Sequence, residues 1–262
     1  IKLENTGLGA MVTKTISTKA AEVPKPCIIG DNNFILNTEL WSEYSPDKWE
    51  SEILPAYKAV SRIPLIISMG YSPEELAYLS PRLTKFADAF EISTHYVSED
   101  VDLFKRIIDS IKSHSDKPVF IKFDPTIPNP EKMAEAVQEA NGDGIVIMNS
   151  LGPVYPLNVN GKSSPLGSLN GFGWISGPVI KLLSLALVKR VAKCCELPII
   201  GVGGISSAKD VIEFMMTGAS GVQLLSAAMI KGKNIYSEII NNLPHELKKL
   251  GYKDIKEIIG IA

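Results

Sequence analysis

Lys14 lies near the end of AMVTKT (10–15) and Lys122 near the end of PVFIKF (118–123), so that twice a cation stands at the close of an otherwise apolar, strand-like run. A lysine so placed either reaches into the mouth of a barrel, where its ammonium can hold an electron-rich ligand, or is held in a structural ion pair. Thr15 follows the first lysine directly. Other runs also end in polar groups: Ser93 and His95 after AFEI, Asp124 after Lys122, and Asn149 and Ser150 after GIVIM. Asn37 and Glu39 interrupt the sticky segment FILNTELWSEY (34–44), and buried amides and carboxylates need partners that a ligand can supply. The last group is bare backbone. Gly203 and Gly204 follow PIIGV, and Ser226 and Ala227 follow GVQLL; both pairs stand at a strand end where free N–H groups suit a phosphate. Glycines there serve equally well as tight strand-to-helix turns.

These groups need a scaffold that brings strand ends together, and the stretch 198–227 states its unit: apolar strand, glycine turn, helix, apolar strand. Ser206 and Ser207 are placed to cap a helix whose buried side carries Val211, Ile212, Phe214 and Met215, and Gly218 stops it. Short, unbroken β-branched runs mark strands buried on both faces of a parallel sheet. They recur at 10–15, 64–69, 89–94, 118–123, 144–149, 198–202 and 221–225. Helical patterns are predicted at 73–87, 99–114, 130–141 and 178–195, and another at 47–60, where Pro55 marks a kink or turn boundary. This is the pattern of an α/β protein, a (β/α)8 TIM barrel, with chemistry at the C-terminal ends of its strands. Seven strands are counted and eight are required, so the first is expected to precede Ile1. The connection 151–177, rich in Gly, Pro, Asn and Ser, reads as a long loop at the barrel mouth.

The 262 residues, 45% apolar, form one domain spanning 1–262. A net charge of −2 with interleaved signs leaves no basic face for nucleic acid and points to a small-molecule partner. Three cysteines, two adjacent at Cys194 and Cys195, give neither a disulfide framework nor metal-ligand spacing, which fits a reducing, cytoplasmic setting. The apolar stretch Val179 to Val191 is broken by Lys181, Lys189 and Arg190 and is too short for a membrane span.

Four segments together, GLGAMVTKT (7–15), SGPVIKLLSLALVKRVA (176–192), IIGVGGISSAKDVIEFMMTGASGVQLLSA (199–227) and ELKKLGYKDIKEIIG (246–260), resemble the class 1 dihydroorotate dehydrogenases and the flavin domain of dihydropyrimidine dehydrogenase. The resemblance implies an FMN-binding barrel, compatible with a homodimer, that oxidises or reduces the CH–CH bond of a dihydroorotate- or dihydropyrimidine-like ring. It implies that Lys14 and Thr15 contact the flavin, with Lys14 catalytic at its pyrimidine edge, and that Lys122 and Asn149 join them. It further implies that Ser176 and Gly177 lie against the flavin and that Gly203, Gly204, Ser226 and Ala227 cradle its phosphate. Asn37, Glu39, Ser93, Asn149 and Ser150 are the substrate contacts so implied; Asn37 and Glu39 resemble those of the dihydropyrimidine enzyme more closely. One departure stands out. Where the family carries an N-L-S-C-P-type segment, this chain has EISTHYVSED, with Ser93 at the asparagine position and Tyr96 at the cysteine position. The proton acceptor is therefore expected to be His95 or Tyr96, both otherwise space-filling. The alternatives are a phosphate-ester lyase or isomerase without flavin, and a flavin-binding relative that has lost catalysis. Gly204→Val is expected to put a side chain into the phosphate pocket.

Overall fold

The structure, a computed structural model, describes residues 3, 6–70, 72–94 and 100–262. Seven strands lie parallel in one curled sheet: β1 (Met11–Val12), β4 (Leu65–Met69), β5 (Ala89–Ser93), β6 (Val119–Phe123), β7 (Gly144–Ile147), β10 (Ile199–Val202) and β11 (Gly221–Gln223), paired in that order. This is the TIM-barrel arrangement. An eighth strand would join its two ends, β1 and β11. Among the described residues no helix is long and apolar enough to cross a membrane.

Parity along the strands decides what each residue does, because successive side chains point to opposite faces. In β5, Phe90 and Ile92 are buried in the core, while the alternate residues Glu91 and Ser93 face the interior cavity. Val119, Ile121 and Phe123 of β6 pack outward, with the Phe123 ring 6.1 Å from Phe104 on the helix Val101–Lys112; Lys122 faces inward. The register sets Ser68 beside Glu91 and Ser93 beside Lys122. Each helix closes the outer layer with the residues its pattern announces: Ser207 accepts a hydrogen bond from the Asp210 N–H, and Val211, Ile212, Phe214 and Met215 are all buried. Close packing leaves little spare volume here. A Cβ on Gly201 would lie 2.3 Å from Cδ1 of the buried Phe214. Gly201→Ala is therefore expected to destabilise the fold by about 1–3 kcal/mol through overpacking, read as a lower urea midpoint at unchanged slope.

Two expectations are corrected or refined. Residues 151–177 are not a plain loop: they contain β8 (Leu151–Val154) and β9 (Gly173–Ser176), which join β2 (Ile28–Gly30) and β3 (Ile35–Asn37) in an antiparallel sheet ordered β2-β3-β9-β8. Pro153 is tolerated because β8 is an edge strand. The 47–60 helix is interrupted by a π-turn over Trp49–Ile53, in which the Leu54 N–H reaches back to the Trp49 carbonyl immediately before Pro55.

Candidate functional site

The antiparallel sheet grows out of the segments that follow β1 and β7, so it lies over the C-terminal ends of the parallel strands. Ile28, Ile35, Asn37, Trp174 and Ser176 of this sheet and the barrel strand ends together enclose a cavity of about 910 Å³, large for a small-molecule site. Lys14, Thr15, Glu39, Ser93, Lys122, Asn149, Ser150, Gly203, Gly204 and Ser226 also line it. The structure thus brings together nearly every described residue singled out in the sequence. Gly177 and Ala227 do not line the cavity: Gly177 lies against Phe34 and Asn33, and the Ala227 side chain belongs to the core. His95 and Tyr96 lie outside the described residues.

Asn149 donates from Nδ2 to Ser93 Oγ at 3.2 Å, so these two strand ends touch. Thr15 and Ser68 share a hydroxyl hydrogen bond at 2.9 Å. Under the roof sheet, Lys14 pairs with Glu39 at 3.4 Å and lies 4.0 Å from Glu43, while Asn37 donates to the Trp174 carbonyl. Lys122 Nζ lies 3.2 Å from Glu91 Oε1, and Gln223 Nε2 donates to Glu91 Oε2 at 2.9 Å. Tyr236 also lines the cavity, and burial holds its phenol above the ordinary range, so it stays neutral.

At the other end, Gly203 and Gly204 both have positive φ, +117° and +80°. A Cβ on Gly204 would meet the Lys181 backbone, 2.9 Å from its Cα. The expectation for Gly204→Val is thereby corrected: the new side chain would strike the start of the helix Lys181–Ala192 and not enter the pocket. Bare N–H groups at this turn and at the start of the helix Ser226–Lys231 remain suited to an anion. The turn is braced from behind. Asp210 accepts from the Ser206 N–H at 2.9 Å and the Ser207 hydroxyl at 2.9 Å, and pairs with Lys181 at 2.6 Å. Burial pushes the Asp210 carboxyl up, but Lys181 and these donors outweigh it and hold it below its ordinary value.

Glu91, Gln223, Ser68 and Trp174 line the cavity but were passed over in the sequence. The available sign for Glu91 was a carboxylate in the middle of the apolar run AFEIS, at the same parity as Ser93. An FMN-sized group suits the cavity on its own chemistry: cationic and amide groups at the strand ends, apolar walls such as Ile180, Met148 and Val202, and an anion-accepting turn opposite.

The model of the dihydroorotate dehydrogenase family matches residues 1–247. Similar proteins include the catalytic subunits named dihydroorotate dehydrogenase B (NAD(+)) of Pyrococcus furiosus, 30% identical over 98% of this chain and 87% of the relative, and of Thermoplasma volcanium, 32% identical over the same shares. That of Anoxybacillus flavithermus is 30% identical over 97% of this chain and 84% of its own.

Proposed function

The chain belongs to the dihydroorotate dehydrogenase family, and from that premise we propose that this oxidoreductase of pyrimidine metabolism binds FMN and acts on the CH–CH bond of a dihydropyrimidine-like ring. The observation that carries the reading is the convergence of Lys14, Lys122, Asn149 and the Gly203–Gly204 turn on one cavity. When bound, FMN supplies a two-electron acceptor for the ring's hydride. Gly203, Gly204 and the N–H groups at Ser226 hold its single phosphate, and no dinucleotide fingerprint argues for FAD. Lys122 and Lys14 present positive charge where the reduced cofactor would carry negative charge. Asn149, Ser150, Ser93 and Asn37 orient the substrate ring with neutral hydrogen bonds, and the roof sheet excludes water from it. His95 accepts the substrate's proton at a neutral ring nitrogen, or Tyr96 accepts it as a phenolate that a nearby cation has stabilised.

Glu39 puts a carboxylate on the cavity wall beside Asn37, which disfavours an anionic ring there, so the preferred ring is a neutral dihydropyrimidine. The test is anaerobic mixing of the purified protein with dihydrouracil, dihydrothymine and dihydroorotate, with the released cofactor identified by mass. Stoichiometric FMN bleached fastest by a neutral ring is the expected result. A colourless protein that takes up no FMN would overturn the cofactor, and faster bleaching by dihydroorotate would overturn the ring.

A further inference from the structure

Glu91 is a carboxylate on the floor of the cavity, its side chain only 3% exposed, and both its oxygens are bonded: one to Lys122 of the neighbouring strand β6, the other to Gln223 of β11 across the barrel. A buried carboxylate costs free energy unless it is paired and hydrogen-bonded, and here both oxygens are occupied. The Lys122 side chain is 19% exposed and lines the cavity above, so its ammonium faces Glu91 on one side and the ligand space on the other. We infer that Glu91 is a positioning residue: with Gln223 it anchors the Lys122 ammonium beneath the cofactor space and sets how much net positive charge the cavity floor offers to a reduced flavin. This rests on the flavin reading for its consequence and on geometry alone for the anchoring.

Glu91→Gln keeps the shape and an acceptor for Lys122 but removes the counter-charge. Reduced, anionic flavin should then be favoured, and sulfite, whose flavin adduct is also anionic, should bind the oxidised holoenzyme about tenfold tighter; the same tenfold on the two-electron couple is a rise of about 30 mV in potential. In a Lys122→Met background Glu91→Gln should still raise the potential, because one negative charge leaves the floor, but by a different amount. That coupling separates action through Lys122 from an independent charge effect. Equal shifts in both backgrounds, or no shift, would overturn the tuning. The anchoring has its own readout in flavin-free protein: the Lys122 side-chain ammonium, assigned by its absence in Lys122→Met, should give a slowly exchanging ¹⁵N signal that is lost in Glu91→Ala, which removes the acceptor. An ammonium signal indifferent to that substitution would overturn the anchoring, whatever the flavin content proves to be.

Discussion

Lys122→Met is expected to destabilise the fold by about 3 kcal/mol, more than loss of a surface ion pair would cost, because the deletion strands a charge. Glu91 would retain Gln223 and lose its cation while still enclosed in the barrel. The methionine itself fits, since it replaces the lysine stem with a similar apolar chain. Adding Glu91→Gln should restore most of the lost stability, because the stranded charge disappears with it. Urea denaturation of the two single variants and the double variant checks this. The outcome against it is a double variant less stable than Lys122→Met, which would make the loss one of packing.

The second large effect is expected behind the glycine turn. Asp210→Ala removes the acceptor for Ser206 and Ser207 and one of two partners of Lys181. Glu213, 2.7 Å from Lys181, still neutralises the lysine, so the loss is about 2–3 kcal/mol and not the larger penalty of a fully orphaned charge. The sign with pH follows from the direction of the shift. Asp210 titrates below its ordinary value in the fold, so its contribution is present above about pH 3.8 and is lost as pH falls through the lower folded value. Lys181 is opposite: burial lowers its pKa, but Asp210 and Glu213 raise it above 10.5, so its contribution holds below that pH and fades as pH rises past the folded value. Asp210→Asn should therefore flatten the acid limb of stability while sparing neutral-pH folding more than alanine does. Thermal melts from about pH 2 to 7 test it; an unchanged acid limb would mean that other carboxylates carry it. On the proposed flavin reading, the cofactor should also leave either variant faster, because the turn proposed to hold its phosphate loses its brace.

How much of the site was legible depended on where in a strand each residue stood. Lys14, Lys122, Asn149 and Ser93 announce themselves because polar groups close runs that are otherwise apolar, and parallel strands place such ends on one rim. Glu91 sits inside its run, where a carboxylate makes sense only once partners are known, and Gln223 is 132 residues away. The roof sheet was illegible for a local reason: β8 is four residues with a glycine and a proline, LGPV, which shows neither alternation nor a β-branched run.

The sequence by itself determined the alternation of strands and helices, since strands buried on both faces must be continuously apolar and helices covering them must be amphipathic, and both patterns are local. Tertiary structure alone decided which charges meet. Lys14 with Glu39, Lys122 with Glu91, and Gln223 with Glu91 are pairings across 25, 31 and 132 residues of chain, made by curling the sheet and folding the roof over it. It also decided what the glycine at 204 is for: the turn lines the ligand space on one side, while the backbone of Lys181 presses close on the other. Close approach of two segments distant in sequence leaves no periodicity to read, because only the fold brings them within contact distance.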